Sequence, residues 1–190
     1  HASAFPMKIP LCSPVSFATL VLALAVGALS ARAEVSLPAI FSDHMVLQSD
    51  VRVPVWGSAS PGEKITVDFA GQSVATTAAS DGTWQVAFTR LAPSPTARSL
   101  TIKGNNTITI QDVLVGEVWL GSGQSNMAMT VNRAKNYEAE KVAANFPLIR
   151  HFKEESPNAD SPQSTSKGRW VLCTPDSVGT FSAALYFFGR

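Results

Sequence analysis

Residues 116–129 read GEVWLGSGQSNMAM, and the reading of this stretch decides the fold. An apolar, β-leaning run over 113–120 ends in Gly121-Ser122-Gly123, and a serine comes soon after at Ser125. A strand that ends in glycines and turns sharply lifts a serine hydroxyl above a sheet edge, with backbone N–H groups of the next turn beside it. That arrangement suits acyl transfer, which needs a hydroxyl to attack a carbonyl and amide donors for the oxyanion that forms. The order is Gly-Gln-Ser-Asn-Met, not the GxSxG of a nucleophile elbow. Ser125 and Asn126 are equally the residue types that cap a helix N-terminus, and the residues alone leave both readings open.

Outward from this stretch the pattern differs on the two sides. Before it, residues 51–56 (VRVPVW), 64–69 and 84–91 alternate apolar and polar, Ala70-Gly71-Gln72 connects tightly into 73–78, and 99–102 and 107–110 flank Gly104-Asn105-Asn106 as a hairpin. Ser80-Asp81-Gly82 is a strong turn signal. Short strands with turn signals at this spacing predict a β-sandwich over 34–117. Tryptophans 56, 84 and 119 stand at alternating positions and read as core, whereas Trp170, beside a polar loop, is the most open to a binding role. After Ser125, residues 132–145 read as a helix that Pro147 stops, and 148–152 as a strand. Residues 154–168 form an exposed loop, 170–173 a further strand, and 180–188 a helix with Thr180 as its cap. Strand and helix in succession predict an α/β layer with a parallel sheet over 118–190.

The N-terminal segment has a different purpose. Lys8 supplies a positive start, residues 14–29 are almost uninterruptedly apolar, and Ala31-Arg32-Ala33 has the A-x-A form of a cleavage site. These are the three parts of a secretory signal peptide. The apolar run, broken by Pro14, Ser16 and Ser30, is too short for a membrane span. His1 to Pro6 precede Met7 and read as upstream read-through or a cloning remnant. Cleavage after Ala33 turns the formal net charge of +1 into 13 basic against 14 acidic residues. No basic patch stands out, so neither nucleic acid nor an anionic membrane surface is indicated, and no membrane span remains after signal removal. Cys12 leaves with the signal, and Cys173, in the apolar setting Trp170-Val171-Leu172, reads as a buried, inert thiol. No His or Cys pair has zinc-like spacing.

GEVWLGSGQSNM resembles the nucleophile block of the sialate O-acetylesterase family, a branch of the SGNH (GDSL-like) hydrolases. SLPAIFSDHMVLQ (36–48) resembles the family's opening motif. VPVWGSASPGEKITVDFAG (53–71) and DGTWQV (81–86) resemble its N-terminal β-domain, and PLIRHFK (147–153) and TFSAALYFFGR (180–190) resemble its segments C-terminal to the serine. The resemblance implies a β-sandwich and then the start of an α/β/α SGNH-type hydrolase domain, incomplete in this chain. It implies Ser125 as nucleophile, with its own N–H as one oxyanion donor, and Gly123 and Gln124 as residues that shape the turn. Asn126 and Met127 match the motif, with Asn126 also able to cap the helix after it.

In SGNH hydrolases the base and its carboxylate usually come from a late Asp-x-x-His block, and no Asp-x-x-His occurs here. His44 reads as exposed or hydrogen-bonded, and its neighbour Asp43 points to the opposite strand face. His151 falls in the strand at 148–152. The chain is therefore expected to be a fragment of an exported carbohydrate O-acetylesterase that needs no cofactor and is inactive alone. Its expected partner is an O-acetylated carbohydrate. The alternatives are an acetylxylan or other polysaccharide deacetylase on the same scaffold, or a non-catalytic carbohydrate-binding β-sandwich module. N-terminal sequencing of protein exported by a bacterial host is expected to read Glu34-Val35-Ser36; a mature chain that keeps the apolar run refutes cleavage after Ala33.

Overall fold

Alternation of apolar and polar side chains builds the first strands. The computed structural model describes residues 34–163 and 165–190, so the signal segment expected at 1–33 lies outside the described residues. The strands are β1 (Val46–Gln48), β2 (Val53–Ser58), β3 (Lys64–Phe69), β4 (Gln72–Thr77), β5 (Thr83–Phe88), β6 (Ser94–Lys103) and β7 (Thr107–Gly116). One sheet has the order β1-β7-β6-β3-β4, and β2 pairs with β5 in a second. Pairing is antiparallel except between β1 and β7, which run parallel. The inward positions of both sheets share one core, with Val53, Val55, Trp84, Val86 and Phe88 from the smaller sheet and Ile65, Val67, Leu100, Ile102 and Val113 from the larger. Burial of each large side chain there contributes about 1.5–3 kcal/mol.

β7 carries an irregularity on which the next layer depends. Leu100 pairs with Ile110 but Arg98 with Val113, so β7 holds one residue more than its partner between those pairs. This is a β-bulge, with Asp112 in a left-handed conformation (φ 55°). The extra residue lets Ile110 and Val113, three apart, both face the core. In a regular strand they would face opposite sides.

Beyond Ser125 lie α1 (Ser125–Ala128), a 3-10 turn (Val131–Arg133), α2 (Tyr137–Ala143), β8 (Phe146–Glu154), β9 (Gly168–Cys173), a second 3-10 turn (Val178–Thr180) and α3 (Ala183–Gly189). They gather around a second cluster that includes Val131, Ala144, Cys173, Val178, Phe181 and Tyr186. Among the described residues no helix is long and apolar enough to cross a membrane.

Four expectations are corrected here. The parallel sheet is not formed by β8 and β9, which pair antiparallel. Their connection contains no helix among the described residues, and a parallel crossover needs a long connection that is usually helical. The strand before the serine ends at Gly116, not Leu120. Its parallel partner β1 stops at Gln48, whose side chain replaces the ladder by accepting from the Val118 N–H (2.8 Å) and donating to Glu117 (3.2 Å). The helix expected over 132–145 is broken because Ala134 is extended and Asn136 is left-handed (φ 61°), a conformation Asn tolerates. Ser182, not Thr180, caps the last helix.

A buried ion pair joins the two halves of this arrangement. Arg150, in β8 and with only 4% of its side chain exposed, donates to both Asp112 oxygens (2.9 and 3.3 Å) and to the His44 carbonyl (3.1 Å). His44 Nδ1 lies 2.6 Å from Asp112 Oδ2. Burial pushes the Asp112 carboxyl up, but hydrogen bonds from Arg150 and His44, with their charge, outweigh it and hold it below its ordinary 3.8. A depressed carboxyl stabilises the fold fully above its unfolded value, and the contribution is lost as pH falls through the folded value. Asp112→Asn is expected to cost about 2–3 kcal/mol at pH 7, because it strands the buried guanidinium. Urea unfolding of both proteins across pH 2.5–7 checks this: the gap should be widest at neutral pH and should narrow below about pH 4.

Candidate active site

Ser125 is the first residue of α1 and is exposed. It does not come directly after a strand, since residues 117–123 have no regular structure between Gly116 and the helix. The turn is made at Gly123, with φ +156°, where a Cβ would lie 3.2 Å from the Met127 Cβ. Gln124 occupies the N-cap position without a side-chain cap, and its carbonyl accepts from the Ala128 N–H (2.9 Å). Neither Ser125 nor Asn126 is therefore the cap; both are exposed first-turn residues, and the half-exposed Met127 is next in the turn. First-turn N–H groups have no acceptor within their own helix, so the Ser125 N–H stands beside its hydroxyl as a free donor.

A four-residue helix does not hold itself together, and the neighbouring chain supplies what it lacks. Ser182 Oγ donates to the Met127 carbonyl (2.6 Å) and caps α3 by accepting from the Leu185 N–H. The Ala183 N–H donates to the Met129 carbonyl (2.8 Å), and the Val131 N–H to the Phe181 carbonyl (3.0 Å). Three hydrogen bonds thus pin residues 127–131 to 181–183, and Phe181 is buried beneath them.

Neither histidine of the described residues is hydrogen-bonded to Ser125. His44 is held by Asp112. Its neighbour Asp43 accepts from the Gln111 N–H (2.7 Å), so the adjacent pair has separate partners. The His151 ring stacks on Phe181 with centroids 4.7 Å apart. Burial, and secondarily Lys153, pushes its imidazole below the ordinary value, towards the neutral form. Cys173 is buried, and burial pushes its thiol up, away from the reactive thiolate.

The tryptophans divide differently from their sequence reading. Trp84 is in the core, but Trp56 is 41% exposed and Trp119 64% exposed, the latter in edge contact with Phe188 at 4.9 Å. Trp170, the one read as most open, packs against the first core and donates its indole N–H to the Ile40 carbonyl (2.7 Å). Sequence reasoning missed Arg150 and Asp112 altogether. The available signal was the break in alternation between Ile110 and Val113, which marks a bulge carrying an acidic residue.

No family model matches the chain. It is 35% identical over 175 residues to human sialate O-acetylesterase and 34% identical over 169 residues to the orangutan (Pongo abelii) enzyme. Each alignment covers 78% of this chain and 32% of the relative. The rat enzyme is 30% identical over 168 residues, with 78% and 31% covered. The chain is a homologue of the sialate O-acetylesterases. It spans about a third of the length of these relatives. Among solved structures, it is similar to a carbohydrate acetylesterase from Xanthomonas citri, with a TM-score of 0.78 and 35% identity over 81% of this chain and 36% of that one.

The support for the serine turn is open to test. Ser182→Ala removes the bond to the Met127 carbonyl and the α3 cap together, and is expected to cost about 1–2 kcal/mol. Hydrogen exchange of the 127–131 amides should then accelerate more than that of β3; equal protection in both regions would show that Ser182 does not hold the turn.

Proposed function

We propose that this chain is part of an exported carbohydrate O-acetylesterase in which Ser125 is the nucleophile. One observation carries the reading: in a homologue of sialate O-acetylesterases, the serine of the GQSNM block is exposed at a helix start beside its own free N–H. In this reading residues 34–117 are a β-sandwich, and 118–190 begin an SGNH-type hydrolase domain. The shared core of the two sheets and the separate cluster around Val131 and Phe181 support that division.

The chemistry starts at the serine. Ser125 Oγ attacks the acetyl carbonyl, its proton passes to a base, and the tetrahedral oxyanion accepts a hydrogen bond from the Ser125 N–H. Collapse expels the sugar alkoxide, which takes up the proton, and leaves an acetyl-serine ester. Water then attacks that ester and releases acetate. The base belongs to the later Asp-x-x-His block of the SGNH pattern, since His44 and His151 are engaged elsewhere. Export rests on Lys8, the apolar run and Ala31-Arg32-Ala33.

Acetate release by the full-length protein, measured on acetylated xylan and on O-acetylated sialic acid, tests the reading and separates the two sugar classes. Ser125→Ala should lower kcat by about 10⁴-fold or more and leave KM little changed. Residues 34–190 alone should be nearly inactive on p-nitrophenyl acetate, because a hydroxyl without a base is a weak nucleophile at neutral pH. Retained activity in Ser125→Ala would remove the serine from the mechanism.

A further inference from the structure

A groove of about 740 Å³ opens on the β2–β5 pair, away from Ser125 and its supports. We infer that this groove binds a neutral glycan, with Trp56 as the surface on which a sugar ring stacks. The register of the pair builds it. Trp56 lies opposite Gln85 and Ser58 opposite Thr83, and all four are exposed on the face turned from the core. Phe41 meets the Trp56 ring in a T-shaped contact at 4.6 Å, which fixes its orientation while 41% of the residue stays open. A fixed, open indole beside amide and hydroxyl groups matches a sugar, which has an apolar C–H face and a rim of hydroxyls.

Behind this face Trp84 takes the inward position opposite Gly57, where a Cβ would collide with the Ser36 carbonyl and lie 2.9 Å from the Trp84 ring, so the floor of the groove is closely packed. At the rim, Asp81 uses Oδ1 to accept from the Thr83 N–H and hydroxyl (2.9 and 2.7 Å), which leaves Oδ2 for a pair of vicinal hydroxyls.

Charge decides between sugar classes. No lysine, arginine or histidine lines the groove among the described residues, and Asp81 is its one charged group. A sugar carboxylate would meet a like charge and no cation, so the occupant is an uncharged chain of hydroxylated rings, not a sialic acid. The choice of a glycan over other neutral polar ligands rests on the esterase reading; the geometry of the groove does not.

The test separates the two. Binding is measured by isothermal titration and tryptophan fluorescence on the chain carrying Ser125→Ala. The probes are unacetylated xylohexaose, cellohexaose and mannohexaose, with sialyllactose as the anionic control, so ester hydrolysis has no part in the readout. At least one neutral hexaose should bind saturably, and sialyllactose should not. Trp56→Ala should weaken binding about tenfold, the loss of one aromatic contact. If Trp56→Ala lowers the melting temperature enough to blur this, Gln85→Ala, an exposed site, should still weaken binding severalfold. Absence of binding by all three hexaoses, an unchanged affinity in Gln85→Ala or in folded Trp56→Ala, or equal binding of sialyllactose overturns the proposal. Acetate release by the full-length protein without hexaose binding would refute the groove alone; hexaose binding without acetate release would refute the esterase alone.

Discussion

The Asp112–Arg150 pair is the interaction on which the arrangement turns. It links a bulge in β7 to β8, and through the Arg150 bond to the His44 carbonyl it also fixes the entry to β1. The bulge is costly in isolation, because it leaves a residue unpaired and holds Asp112 at positive φ, as His44 also is. Both residues face the same guanidinium. Two locally unfavourable conformations are thus offset by one buried, multiply bonded cation. Without the bulge Val113 would turn away from the core, and Asp112 would not be presented to Arg150.

The serine turn depends on contacts remote in sequence. Gly123 permits the local geometry, but three hydrogen bonds from residues 181–183 keep residues 127–131 where they are. Those residues are held in turn by Phe181, buried under the stacked His151. Most of what positions α1 is therefore the tertiary packing of the second cluster, not helix propensity.

This explains which features could be read in advance. Strands β3 and β5 emerge from alternation, and Gly82 marks the turn between β4 and β5, because period-2 patterning reports a half-buried strand directly. Residues 107–110 and 113–120 read as separate segments because the bulge interrupts that period; the structure joins 107–116 into one strand. The helix boundaries were not legible. Asn136 and Ser182 act as breaker and cap only because Tyr137 and Phe181 are drawn into the cluster. For Trp56 the signal was present, since it is out of phase with Val53 and Val55, which face the core. Alternation places Trp56 on the opposite face, but aromatic size alone suggested burial.

The histidines bear on the role proposed for Ser125. A base for Ser125 needs a ring nitrogen free to accept a proton and aimed at the hydroxyl. His44 has Nδ1 committed to a carboxylate that also neutralises Arg150, so removing it for catalysis would unbalance the interaction joining β7 to β8. Burial keeps His151 more neutral than an ordinary imidazole, but its ring packs on Phe181, the residue that supports the serine turn. His44 is thus tied to the link between β7 and β8, and His151 to the packing under residues 127–131. On the reading proposed above, the described residues supply a nucleophile, Ser125, and one amide donor. A proton acceptor drawn from His151 would disturb Phe181, which supports the serine turn, and one drawn from His44 would disturb the Asp112–Arg150 pair.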